Sequence, residues 1–74
     1  MFSPTHPQLA SAGAMLRAMR EEVGLTLSGL AERADVSKAT LSRFERGERY
    51  VSADLLARIA RAIADEVHAK RGAA

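Results

Sequence analysis

The side chains best suited to chemistry are concentrated in one short stretch, residues 37–50. Four polar residues fall on the outer side of a predicted short helix there: Lys38, Thr40, Ser42 and Arg43. Ammonium, guanidinium and hydroxyl groups donate hydrogen bonds to base edges and to phosphate oxygens. Charge alone does not separate this interpretation from an ordinary solvated helix face, because the stretch also contains Glu45 and Glu48.

Enzyme chemistry has no comparable support in the sequence. There is no Cys, and His6 and His68 are isolated. Glu45 is accompanied by no catalytic partner, so an ion pair between helices is a better interpretation of this residue than a catalytic role. The sequence therefore predicts no enzyme activity, no catalytic residue, no metal site and no cofactor.

Length and composition indicate one small helical domain. The chain has 74 residues, of which 47% are hydrophobic, and Ala, Leu, Arg and Glu dominate it. The formal net charge is only +2, so total charge does not identify a nucleic-acid partner. Neither a targeting peptide nor an apolar stretch of transmembrane length is visible. We therefore expect a cytoplasmic protein without a membrane partner.

Turn and capping residues predict a compact all-α fold of four helices, with five helices as the alternative. The predicted helices are residues 7–22, 27–34, 38–46 and about 53–70. Pro7 is expected at the first position of the first helix, with His6 or Thr5 before it as the cap. The other boundaries are marked by Thr26, Ser37 and Ser52 at the starts and by Gly24 and Gly47 at the ends. We expect residues 1–6 to form a loose arm, residues 7–71 the domain and residues 72–74 a tail.

Apolar residues at helical spacing predict which face of each helix is buried. In the first helix these are Leu9, Ala12, Leu16, Met19 and Val23. In the later helices they are Leu30, Ala31 and Ala34, then Leu41 and Phe44, then Leu55, Leu56, Ile59, Ala60, Ile63 and Val67. Leu25 is expected to be a buried linker residue. Arg58 and Arg61 are expected to serve only surface solubility.

Residues 26–47 combine a short helix, a tight turn and a second short helix, which is the sequence form of a helix-turn-helix. Ala31 is small enough for the two helices to cross closely, and Leu41 is apolar where the angle between them must be filled. The turn requires a residue that tolerates a left-handed conformation, and Asp35 does so better than most. Such a unit is expected to place its second helix in the major groove of DNA.

Three runs of residues resemble the phage repressor and Cro family of bacterial and phage transcriptional regulators: LRAMREEVGLT, LAERADVSKATLSRFERGER and LLARIARAI. The resemblance covers residue 14 to about residue 63, and its specificity comes from the combination and spacing of the runs. It implies base contacts from Lys38, Ala39, Thr40, Ser42 and Arg43. It implies phosphate contacts from Thr26, Leu27, Ser37, Arg46, Arg49 and Tyr50. It also implies a structural ion pair between Arg20 and Glu45.

The sequence departs from the family pattern at three places. Asp35 stands where the family usually has Gly in the turn. Leu27 stands where the family often has a Gln that contacts phosphate. Residues 64–67 continue the fourth helix where the family usually breaks it with Gly and adds a fifth.

The third departure would leave Ile63 and Val67 without the cover that a fifth helix provides. Either the segment around Phe2 and Leu9 folds back over them, or a second copy of the chain docks there. We favour the second copy, because operators read by this family are usually two-fold symmetric.

These features imply a sequence-specific, double-stranded DNA-binding protein that regulates transcription, with a homodimeric repressor on a two-fold operator as the favoured form. Two alternatives remain open. In the first, the last helix binds a toxin, as in antitoxins built on the same fold. In the second, the chain is a restriction-modification controller.

Overall fold

The computed structural model describes the main chain of residues 7–73 and the side chains of residues 12–72. Four α-helices occupy these residues: α1 (Pro7–Glu22), α2 (Leu27–Ala34), α3 (Lys38–Glu45) and α4 (Ala53–Ala73). The described residues contain no strand, so the all-α prediction is confirmed. None of these helices combines the length and the apolar character needed to cross a membrane.

The helix boundaries agree closely with the predicted ones. α3 ends one residue earlier than expected, because Arg46 already serves as its C-cap. α4 runs past its expected end near residue 70 and continues through Gly72 to Ala73, so two residues of the expected tail are helical. The arm expected for residues 1–6 lies outside the described residues.

Hydroxyl side chains fix where three of the helices begin. Thr26 Oγ1 accepts a hydrogen bond from the Gly29 amide at 2.9 Å at the start of α2. Ser37 Oγ accepts one from the Thr40 amide at 3.0 Å at the start of α3, and Ser52 caps α4 in the same way. Each bond satisfies a main-chain donor that the first turn of a helix leaves without a partner. The three predicted caps are confirmed.

Each of the first three helices is followed within two residues by a residue with a positive φ angle: Gly24 at 82°, Asp35 at 55° and Gly47 at 77°. After α2, the Asp35 amide donates to the Glu32 carbonyl at 3.2 Å and the Val36 amide donates to the Ala31 carbonyl at 3.0 Å. This pair of bonds is a Schellman motif, and the same pattern closes α1 and α3. The left-handed conformation predicted for Asp35 is confirmed.

The hydrophobic core lies where all four helices meet. Its fully buried large side chains are Leu30, Leu41, Phe44 and Ile59. The other members of the buried cluster are Leu16, Leu25, Ala31, Ala34, Ala62 and Ile63. The predicted inner faces of α2 and α3 and the predicted burial of the linker residue Leu25 are therefore confirmed.

Three residues expected on inner faces lie outside the core. Met19 keeps 43% of its surface exposed, because α1 packs mainly against α3 and only marginally against α4. Leu56 and Ala60 are exposed because they lie on the outer side of α4, away from the buried residues Ile59 and Ile63. The side chain of Leu9 lies outside the described residues.

The expectation that Ile63 lacks cover is wrong. Ile63 is only 2% exposed within the single chain and belongs to the central apolar cluster. Val67, one turn further along α4, is half-buried. The alternative in which Phe2 and Leu9 fold back over this end involves side chains outside the described residues.

α1 and α3 cross closely at Gly13, which is buried. A Cβ atom at this position would overlap the carbonyl oxygen of Phe44. It would also lie 3.0 Å from the carbonyl carbon of Phe44 and 3.1 Å from that of Glu45. A side chain at residue 13 would therefore force the two main chains apart, and the absence of one fixes how close α1 lies to α3.

Candidate nucleic-acid interface

α3 has a buried side and an exposed side. Its inner residues Leu41 and Phe44 are buried in the core. Its outer side carries the five residues predicted to contact bases: Lys38, Ala39 and Arg43, which are exposed, and Thr40 and Ser42, which are half-buried. With its side chains an α-helix is about 10–12 Å in diameter, which fits the major groove of B-form DNA, about 12 Å wide.

Three cations on and beside α3 have no ion-pair partner among the described residues: Lys38, Arg43 and Arg49. Elsewhere Arg17, Arg20, Arg33 and Arg58 each pair with a carboxylate, whereas Arg61 and Arg71 of α4 also lack an ion-pair partner among the described residues. An unpaired cation keeps all of its donors for a ligand and breaks no existing ion pair when it binds one. This surface therefore suits a partner rich in negative charge or hydrogen-bond acceptors.

Arg46 differs from the three unpaired cations. Its Nη2 lies 3.4 Å from the carboxylate of Glu48, and both side chains are about half exposed. An exposed pair of this kind contributes little free energy, because solvent and salt screen it. Arg46 can therefore exchange this acid for a phosphate at small cost.

Ser37 and Thr40 join their hydroxyl groups at the start of α3. Ser37 Oγ lies 2.8 Å from Thr40 Oγ1 while it also accepts the Thr40 amide. Because the two hydroxyls share one hydrogen bond, the pair keeps a single hydroxyl hydrogen for an outside acceptor. The contact also fixes the direction of the Thr40 side chain.

The start of α2 and the loop after α3 carry the remaining residues predicted to contact phosphate. Thr26 is exposed and its hydroxyl serves the cap. Leu27 packs its side chain partly against the core, so only its main-chain amide remains for a phosphate. Arg49 and Tyr50 are exposed in the loop.

Arg20 and Glu45 form a bidentate ion pair between α1 and α3. Arg20 Nε donates to Glu45 Oε2 at 2.8 Å, and Nη2 donates to Glu45 Oε1 at 3.0 Å. Arg20 Nη1 also donates to the main-chain oxygen of Leu25 at 3.0 Å. The side chains are only 11% and 4% exposed, respectively. The pair ties α3 to α1.

The hydrogen bond to Glu45 raises the pKa of Arg20 above its ordinary value. Burial opposes this rise, and the negative charges of Glu45 and Glu21 add to it. A raised pKa in the folded state means that the stabilisation is fully present below the ordinary pKa and is lost as the pH rises through the raised one. The arginine therefore contributes its full stabilisation throughout the neutral range.

α4 also reaches the helix-turn-helix through side chains. Arg58 Nη1 donates to the main-chain oxygen of Asp35 at 3.3 Å and lies 3.7 Å from its carboxylate. Arg58 Nε lies 3.5 Å from the carboxylate of Asp54. Arg33 of α2 pairs with Glu66 of α4. The expectation that Arg58 serves only surface solubility is therefore wrong, because Arg58 joins α4 to Asp35, which lies in the turn after α2, 23 positions away in sequence.

The helix-turn-helix domain family model matches residues 11–64 of the chain. An uncharacterized HTH-type transcriptional regulator of Mycobacterium tuberculosis is 45% identical over 51 residues, which are 69% of this chain and 36% of that protein. The same values hold for its counterpart from a second strain. The chain thus spans little more than a third of the length of these relatives.

Two solved structures have the same fold. The clp gene regulator ClgR from Corynebacterium glutamicum superposes with a TM-score of 0.77 at 37% identity, over 96% of each chain. The restriction-modification controller protein C.AhdI from Aeromonas hydrophila superposes with a TM-score of 0.78 at 29% identity, over 80% of this chain and 89% of that chain.

Proposed function

We propose, from the premise that this chain belongs to the helix-turn-helix domain family, that it binds double-stranded DNA through α3 and thereby regulates transcription. One observation carries the proposal. The outer side of α3 and the following loop hold Lys38, Arg43 and Arg49 exposed and without acidic partners in the described residues. The inner side of the same helix is buried, so only its outer side is available to DNA.

In this proposal the outer residues of α3 read base edges in the major groove. Arg43 presents a guanidinium that matches the two acceptors of guanine. Ala39, one turn earlier, offers a methyl group that suits the methyl group of thymine. Lys38, Thr40 and Ser42 donate hydrogen bonds to further acceptors on bases.

Phosphate contacts on both sides of α3 hold the protein in register. The main-chain amides after Thr26 lie at the positive end of the α2 dipole, where a phosphate is favoured. Ser37, Arg46, Arg49 and Tyr50 flank α3 at its two ends. Such contacts supply much of the affinity without selecting a sequence.

Replacing Arg43 with Ala tests the assignment of α3 to base reading. We expect Arg43→Ala to weaken binding to a duplex selected from random DNA by about 1–3 kcal/mol and to relax the preference at one base position. The reason is that a bidentate contact to one base pair is lost. Fluorescence anisotropy on a panel of duplexes with single base changes measures both quantities.

Arg61→Ala is the charge-matched control for this experiment, because Arg61 is an exposed arginine on α4, outside the proposed interface. It should retain the parental base preference. Unchanged affinity and unchanged preference in Arg43→Ala would show that Arg43 does not read DNA.

Replacing Arg49 with Ala tests the proposed phosphate contacts. We expect Arg49→Ala to weaken binding to selected and random duplexes alike and to reduce the salt slope of binding by about 1. The effect is uniform because phosphates are the same at every sequence. A variant that loses discrimination but keeps its salt slope would instead place Arg49 at a base.

We propose further that the protein acts as a homodimer on a two-fold operator, with repression as the mode of action. Repression requires only that the bound protein exclude other proteins from the same DNA. An apolar groove between α1 and α4, about 330 Å³ in volume, supports a second copy as partner. Its lining residues are Ala18, Met19, Glu22, Val23, Ile63 and Val67. A symmetric contact there would bury Met19 and Val67 further.

Replacing Val67 with Asp tests the dimer. We expect Val67→Asp to give a monomer that binds a single half-site weakly, because a charge in the groove would be desolvated on association. Sedimentation at micromolar protein concentration measures the mass. Ala69→Asp, at an exposed position on the same helix, is the matched control and should stay dimeric. A monomeric parent protein would contradict the proposal.

A further inference from the structure

We infer that Arg58 is a positioning residue for DNA recognition: it holds the turn between α2 and α3 and so fixes the direction of α3. This inference rests on the proposed function of α3. Arg58 belongs to α4, outside the helix-turn-helix itself. Its guanidinium bonds to the main chain of Asp35, the residue at which α2 ends.

Asp35 controls where α3 begins. It has a φ angle of 55°, and the Val36 amide, which belongs to the same peptide as the Asp35 carbonyl, donates back to the Ala31 carbonyl at 3.0 Å. The Asp35 carbonyl therefore faces away from α2. Only Val36 and Ser37 separate it from α3. A rotation of the peptide after Asp35 would therefore swing the whole of α3. The bond from Arg58 Nη1 to this carbonyl, at 3.3 Å, opposes that rotation.

A second carboxylate attracts Arg58 without a hydrogen bond, because the buried Nε atom of Arg58 has no hydrogen-bond partner among the described residues. Nε lies 3.5 Å from the carboxylate of Asp54, one turn earlier on α4. The Asp35 carboxylate lies 3.7 Å from Nη1. Arg58 thus connects the turn to α4, which is anchored in the core by its buried residues Ile59 and Ala62. The turn is thereby attached to a rigid part of the molecule.

These contacts are too exposed to contribute much to global stability. Arg58 keeps 39% of its side chain exposed, and the two carboxylates keep 88% or more. An open cleft of about 590 Å³ between α2 and α4 brings solvent to the guanidinium. Screened pairs of this kind contribute little free energy to folding. The effect of removing Arg58 should therefore appear in recognition and not in the unfolding transition.

Base contacts and phosphate contacts respond differently to a shift of α3. Hydrogen bonds to base edges require the helix in one position, whereas long side chains follow the phosphates over a wider range. We therefore expect Arg58→Gln to bind a selected duplex about 2- to 5-fold more weakly while its affinity for random duplex and its salt slope stay parental. Arg58→Lys, which keeps one donor for the Asp35 carbonyl, should recover part of the loss.

The test combines DNA titrations with nuclear magnetic resonance of the free protein. Arg61→Gln, three residues along α4 and without a partner in the described residues, is the matched control. In Arg58→Gln the amide signals of Val36 and Ser37 should shift, and residual dipolar couplings should report an altered angle between α2 and α3. Arg61→Gln should change neither the angle nor the affinity ratio.

Three results would overturn the inference. Equal losses on selected and random duplex with a smaller salt slope would make Arg58 a phosphate contact. A lowered melting temperature with an unchanged ratio of the two affinities would make it merely structural. An unchanged angle between α2 and α3 would show that Arg58 does not fix the direction of α3. If the parent protein binds no duplex, the proposed function fails, and the dipolar couplings still decide whether Arg58 holds the turn.

Discussion

Glu45→Ala is expected to lower the free energy of unfolding by about 3–5 kcal/mol, the cost typical of breaking a buried ion pair from one side. Glu45 is 4% exposed and makes two hydrogen bonds to Arg20. Its removal leaves the Arg20 guanidinium buried with the Leu25 carbonyl as its remaining partner. The free energy of unfolding of a domain is only about 5–15 kcal/mol in total, so this loss is a large fraction of it.

Urea unfolding followed by circular dichroism measures this loss. Glu48→Ala is the matched control, because Glu48 also faces an arginine but both side chains are about half exposed. It should cost less than about 1 kcal/mol. Glu45→Gln, which keeps the shape and one acceptor, should fall between the two. If Glu45→Ala unfolds like the parent and no longer binds DNA, the residue works at the DNA surface and the structural assignment is wrong.

Gly13→Ala is expected to lower the free energy of unfolding by about 3 kcal/mol, at the upper end of the cost of overpacking a core. The added Cβ atom would overlap the main chain of Phe44, which cannot rotate aside as a side chain can. The sign of the effect is diagnostic. In an exposed helix interior the same change stabilises by about 1 kcal/mol, because alanine has the higher helix propensity.

Gly72→Ala supplies the matched control. Gly72 also lies in a helix, and a Cβ atom there meets nothing within 4 Å. This variant should be neutral or slightly more stable than the parent. If Gly13→Ala also proves neutral, α1 and α3 do not cross as closely as the structure indicates, and the position of α3 against α1 must be revised.

Local patterns predicted most of the helical framework. The caps at Thr26 and Ser37 and the left-handed turn at Asp35 depend on residues within a few positions of one another. The local sequence contains the whole of each signal, because the hydrogen bonds that form the caps and the turn join residues only three or five positions apart. The same holds for the division of α3 into a buried side and an exposed side, which follows from its periodicity.

Contacts between distant residues were harder to predict. The Arg58 guanidinium meets a main-chain carbonyl, and any residue type at position 35 would supply that acceptor. No residue pattern marks such a contact. Gly13 is a partial exception, because a glycine inside a helical run is a local sign of close packing at that position. Which helix approaches it depends on the three-dimensional arrangement.

The cover of Ile63 was mispredicted for a related reason. A fifth helix is one way to enclose that position, and the sequence alone did not reveal that Ile63 joins Leu16, Leu25 and Ile59 in the buried cluster of the single chain. The proposed dimer therefore depends on Met19 and Val67, with Ile63 as the floor of the groove.

Selection of binding sites from a random pool of duplex DNA tests the central claim, that α3 reads DNA sequence, most directly. The full chain should enrich a motif in which about four base pairs per half-site are fixed, and two inverted half-sites should lie one helical turn apart, about 34 Å. A single half-site would support base reading by a monomer. A pool that shows no enrichment, with equal affinity for all duplexes, would contradict the claim.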